Sequence, residues 1–154
     1  MGAQLREVRF LFAALLLLAG CGSEFQFGQV DGKLLVNGVP VEKIQVEFFP
    51  TKSGPPSIGI TDAAGKFSLS TNEGKAGAVV GAHKVVLRDV GIMGDKFLGR
   101  AGEDVDMSQG RSPRILEIYS EVTKTPLQKE VTSGKCVIEL DAKGPTNASS
   151  GAAK

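Results

Sequence analysis

Few residues in this chain could do chemistry. It has two cysteines, Cys21 and Cys136, and one histidine, His83. Nucleophilic catalysis needs a nucleophile with a base in reach. His83 with Ser108, Ser112 or Ser120 is the conceivable set, but no Gly-x-Ser-x-Gly elbow exists to expose such a serine. His83 follows Gly81-Ala82 in phase with Val85 and Leu87. It therefore reads first as a half-buried structural residue and second as a base or ligand. Cys136 and His83 lack the close spacing of a zinc site. Oxygen ligands for calcium are offered by Asp104 and Asp106, with Glu103 beside them and Asp95 nearby. The Asp-x-Asp-x-Asp-Gly loop with a distal Glu is incomplete, so these are weak metal candidates in a solvated acidic loop. No cofactor is implied.

Cys21 differs because of what precedes it. Arg6 and Arg9, the apolar run 10–18 and the small pair Ala19-Gly20 follow the order of a secretory signal. The run is too short for a transmembrane helix, which takes about 20 apolar residues. Leu18-Ala19-Gly20-Cys21 resembles a bacterial lipobox. The resemblance implies cleavage before Cys21, a diacylglyceryl thioether on its sulfur and an acylated amino terminus. At roughly 0.8 kcal/mol per buried methylene, several acyl chains hold a protein on a membrane. A plain cleaved signal that releases a soluble protein is the competing reading. Gly22 stands where an Asp would signal inner-membrane retention in some bacteria, so the same resemblance favours the outer membrane.

Removing residues 1–20 takes away Arg6, Arg9 and Glu7, and the formal charge of +1 falls to zero. A formally neutral chain argues against a nucleic-acid partner, which calls for a clustered basic surface. The length suits one domain. With 20 Gly, no Trp and short apolar runs, the composition favours strands and turns over helices. Cys136, Ile138 and Leu140 alternate with Val137, Glu139 and Asp141. Cys136 reads as a buried thiol acting as a small hydrophobe; a reactive or intermolecular thiol is the alternative. With Cys21 lipidated, a disulfide scaffold is excluded.

The elements that would carry these residues follow a period of two. Residues 33–36 run into Asn37-Gly38, a strong hairpin dipeptide. Ile44, Val46 and Phe48 alternate inward until Pro50. Residues 51–56 form a loop and 57–61 a short strand. Asp62-Ala63-Ala64-Gly65 is a tight turn in which Asp62 accepts backbone hydrogen bonds and Gly65 takes positive φ. Phe67 and Leu69 then point inward, as do Val85 and Leu87. Residues 127–131 and 136–140, separated by Thr132-Ser133-Gly134-Lys135, read as a closing hairpin. Seven short strands at about 8–12-residue spacing indicate an all-β fold, a seven-stranded antiparallel β-sandwich. The expected organisation is a signal at 1–20 and a tether at 21–28. The sandwich spans 29–142 with a long insertion at 91–118, and a disordered tail occupies 143–154.

The order of turns is similar to bacterial secreted and lipid-anchored proteins with a carboxypeptidase regulatory-like, or transthyretin-like, domain. The residues that carry the likeness are 32–41, 46–50, the most specific stretch Gly59-Ile60-Thr61-Asp62-Ala63-Ala64-Gly65-Lys66-Phe67-Ser68-Leu69, then 77–87 and 126–140. The resemblance implies a prealbumin-like sandwich without catalytic machinery, serving as a folding, spacing or binding module. The insertion 91–118 is longer than the pattern expects and would be the place for a loop-borne function.

The leading expectation is a non-catalytic, lipid-anchored envelope module facing the periplasm or the outside. Its contacts would be made through 91–118 and 51–57, with an envelope protein or a glycan as partner. Phe49 and Phe97 are the two aromatics available for stacking on a sugar. The rival is an envelope hydrolase or metal-dependent accessory using His83 and the acidic loop 103–106. A third reading is a subunit of a larger assembly with an edge strand open to a partner strand.

Overall fold

Alternating side chains build the first strand. β1 (Phe27–Val36) buries every second residue, from Gly28 to Val36, and turns those between them outward. Asn37 and Gly38 follow with φ of 52° and 80°. That pair makes the primed turn whose twist matches two antiparallel strands, so Val36 faces Val39 across it. The chain continues as β2 (Val39–Pro40), β3 (Ile44–Pro50), β4 (Ser57–Ile60), β5 (Lys66–Ser68) and β6 (Ser70–Thr71). After these come β7 (Ala78–Val79), β8 (Gly81–Asp89), a 3-10 turn at Glu117–Tyr119, β9 (Gln128–Val131) and β10 (Gly134–Ala142). The computed structural model from which these elements come describes residues 25–92 and 112–145.

The strands form two five-stranded sheets. In the first, β1 has β10 along one edge, while β7, β5 and β2 share the other. The second runs β6-β4-β3-β8-β9 and is antiparallel throughout. The core lies between them. Val30 and Leu34 of β1, Ile138 and Leu140 of β10, Ile44, Val46 and Phe48 of β3, and Val85 and Leu87 of β8 belong to one buried cluster. The all-β, two-layer arrangement is that of a β-sandwich.

The expected seven strands appear as ten segments among the described residues. The apolar stretches were found, but several are broken into two- and three-residue pieces that share an edge of a longer strand. Pairing is not wholly antiparallel, because β1 and β10 are parallel over nine residue pairs, Gly28↔Gly134 to Val36↔Ala142. The closing hairpin does not form. β9 pairs with β8 in the second sheet and β10 with β1 in the first, so residues 132–133 cross between layers. Alternation reports which face a residue takes, not which strand lies beside it.

Other boundaries move too. The ladder begins at Gln26, whose C=O accepts from Val80 N–H at 2.8 Å, rather than at residue 29. The distal part of the insertion packs into the domain: Ile115 is 6% exposed, as is Tyr119 just beyond it. Residues 143–145, expected in the tail, are tied down. Leu116 N–H donates to Lys143 C=O at 3.0 Å, and Lys143 N–H donates to Tyr119 Oη at 3.1 Å. Ser57 is fully buried at the start of β4, so the expected contact loop 51–57 ends before it.

Strand direction sorts the connections to two poles. The start of β1, loop 51–56, loop 72–77 and the crossing at 132–133 lie at one pole. Segments 37–43, 61–65, 90–92, 112–120 and 143–145 lie at the other, where Arg114 meets Asp89 and Tyr119 meets Lys143.

Candidate functional site

A shallow open groove of about 480 Å³ is lined by Asp31, Gly32, Ile60, Asp62, Lys66, Phe67 and Ser68. Its polar groups come from β1, from β5 and from the turn between β4 and β5. The Asp31 carboxylate accepts from Ser68 Oγ at 2.6 Å and has Lys135 Nζ at 3.5 Å. The Ser68 hydroxyl, helped by Lys135 against partial desolvation, holds the Asp31 carboxyl below its ordinary range. Asp62 Oδ1 accepts from Ala64 N–H at 2.9 Å and Lys66 N–H at 2.8 Å, and Asp62 C=O accepts from Gly65 N–H at 2.9 Å. Gly65 has φ 72°, and an added Cβ would lie 2.5 Å from Leu34 C=O oxygen. Asp62 therefore closes its own turn. The groove can hydrogen-bond a small polar group, with the Ser68 hydroxyl already donated to the Asp31 carboxylate. Asp31 and Ser68 were missed in the sequence, where 37 positions separate them. They meet only because β5 returns antiparallel along β1.

His83 lies on β8, only 1% exposed, and so more deeply buried than the half-buried expectation. Its Nδ1 is 2.9 Å from Gly81 C=O, which assigns the proton to Nδ1. Nε2 is buried without a hydrogen-bond partner, and the ring lies 5.7 Å from that of Phe48. Ser57 Oγ is likewise buried and unpartnered. The two do not form a pair. Ser57 faces Phe48 from β4, whereas His83 faces Pro50 from β8, on the opposite side of β3. The sequence-predicted partners are farther still, since Ser112 and Ser120 belong to the far pole. Ser120 Oγ donates to Glu117 C=O at 2.7 Å.

Burial pushes the His83 imidazole below its ordinary 6.5, with the Gly81 carbonyl opposing part of that shift. Lys129, opposite it in the ladder, adds no anion to stabilise an imidazolium. A depressed folded-state value means that the unfolded chain binds the proton first. Stability is therefore complete above pH 6.5 and falls as pH drops from there toward the folded value. The slope is at most about 1.4 kcal/mol per pH unit. Urea midpoints should fall between pH 7 and 5 in the native protein, and His83→Gln should flatten that interval. Identical profiles would show that His83 titrates alike folded and unfolded.

The 90–113 segment is held at its base by a clip absent from the sequence expectations. Asp89 ends β8 with its side chain 3% exposed. Its Oδ2 accepts from Arg114 Nε at 2.9 Å and from Arg114 N–H at 3.0 Å, and its Oδ1 accepts from Arg114 Nη2 at 2.5 Å. Gly91 N–H donates to Lys43 C=O at 3.1 Å. Cys136 is half-buried, with Sγ 3.1 Å from Thr132 Oγ1 and 3.2 Å from Thr132 C=O oxygen. Leu18, Ala19, Gly20, Cys21, Phe97, Asp104, Asp106 and Ser108 lie outside the described residues. Among the described residues no three His, Cys, Asp or Glu side chains converge on a metal-sized point, and no helix is long and apolar enough to cross a membrane.

No protein-family model, curated protein or solved structure matches this chain. Its class is defined by its own architecture: an all-β protein of two facing sheets, with the start of β1 at one pole and the Asp89–Arg114 clip at the other.

Proposed function

We propose that the protein is a lipid-anchored β-sandwich of the cell envelope, acting as a non-catalytic binding or spacing module. Its finer likeness is to carboxypeptidase regulatory-like, transthyretin-like domains. The separation of the poles is the observation that carries the reading. Five residues, Gly22–Gln26, join Cys21 to β1. At no more than about 3.6 Å each they reach roughly 18 Å, so a lipid on Cys21 keeps the near pole close to the bilayer. The described ends of the 90–113 segment, residues 90–92 and 112–113, lie at the opposite pole, about 30 Å away along β1. The Asp89–Arg114 clip gives that segment a fixed base from which to meet an envelope partner. His83 stands apart from Ser57, Ser112 and Ser120, which supports binding over hydrolysis.

The test is localisation and mass. The native protein should partition with membranes and carry an acylated amino-terminal cysteine. Cys21→Ser should move it to the soluble fraction with the fold unchanged. A bare terminus on the native protein, or an unchanged distribution of the variant, would end the proposal.

A further inference from the structure

The Asn37 N–H donates to Ala142 C=O at 3.0 Å, so the backbone of Ala142 faces β1. Backbone groups alternate sides along a strand. Hence Cys136, Ile138 and Leu140 also bond toward β1, and Lys135, Val137, Glu139 and Asp141 turn N–H and C=O to the other edge. Lys143 turns the same way, but Tyr119 Oη and Leu116 N–H occupy its two groups. From Lys135 to Asp141 no strand among the described residues pairs that edge. The edge has none of the usual backbone devices against pairing. It is nine residues long, keeps an unbroken register with β1 and contains no proline. Val137 at its middle is 82% exposed, the most exposed large hydrophobic residue described.

We propose that this edge pairs with the same edge of a second copy of the chain, antiparallel, with the two-fold axis at Val137. Charge complementarity selects the occupant and the register. Centring on Val137 sets Lys135 against the partner's Glu139, twice, and Val137 against the partner's Val137. Centring on Glu139 would oppose like charges, Glu139 to its copy and Lys135 to the partner's Lys143, which destabilises a ladder. Centring on Ile138 would satisfy Lys135 with the partner's Asp141 but leave Val137 against the partner's Glu139. The Val137 register alone covers the exposed valine and leaves no like-charge pair. This inference is independent of the lipid anchor.

Cysteine crosslinking in whole cells making the full chain tests it, in a Cys136→Ser background. Residues on a hydrogen-bonded antiparallel pair lie about 5.5 Å apart at Cα, within disulfide reach. Val137→Cys should give a disulfide-linked species of twice the mass under mild oxidation. Val39→Cys, exposed at the far pole, should not. Lys135→Glu should lower the Val137→Cys crosslink about tenfold, and adding Glu139→Lys should restore it. The Cys136→Ser parent reports separately on Cys21, because a dimer of that parent means an unlipidated thiol and not a paired edge. A folded Val137→Cys chain that stays monomeric, or a crosslink indifferent to the charge reversals, overturns the proposal.

Discussion

Replacing Arg114 by alanine should cost about 3–5 kcal/mol of stability, the penalty for removing one partner of a buried ion pair. Asp89 is the reason. Its side chain is 3% exposed, and both oxygens accept from the Arg114 guanidinium, at 2.9 Å from Nε and 2.5 Å from Nη2. The Arg114 backbone N–H remains in the variant, but one peptide donor does not replace a charged fork. The anion would stay buried, take up a proton or pull the end of β8 toward water. Urea unfolding at neutral pH measures the loss. Adding Asp89→Asn to Arg114→Ala should recover part of it, because the stranded charge is then gone, so the pair should be strongly non-additive. A loss below about 1 kcal/mol would mean that the pair behaves like a surface ion pair. The clip would then not fix the base of the 90–113 segment.

Phe48→Ala should be of similar size, about 3–5 kcal/mol, through a different cause. Phe48 is fully buried in the middle of β3, between β4 and β8, and its ring stands 5.7 Å from that of His83. Truncation removes apolar area from the core and leaves a cavity that two flanking strands, each fixed by its ladder, cannot close. Phe48→Leu should recover most of the loss by keeping most of the volume. Phe49→Ala, one residue along and only half-buried, should cost much less. Equal losses at 48 and 49 would show that the two faces of β3 are not distinguished as the burial pattern requires. Denaturant midpoints for the three variants decide it.

The core was legible because burial follows a local rule. Ile44, Val46 and Phe48, then Phe67 and Leu69, then Val85 and Leu87, point inward because every second residue of a strand shares a face. The turn at Asp62–Gly65 was legible for an equally local reason, since a carboxylate can reach backbone N–H groups two and four residues on. The groove was not legible, because Asp31 and Ser68 come from strands joined only by register. Nor was the Asp89–Arg114 clip, for which nothing at either position signals the other.

Sequence alone determined the two-residue period, the turns at Asn37-Gly38 and Asp62–Gly65, the inward set and the all-β class, because each depends on neighbours a few positions away. Tertiary structure alone decided that β10 runs parallel to β1, that β9 and β10 belong to different layers, that His83 stands apart from Ser57, Ser112 and Ser120, and that no strand among the described residues pairs the edge beside Val137. Those outcomes depend on which strand finds which edge. Pairing is a competition among distant segments with similar alternation, and it is settled by packing two whole sheets on one core.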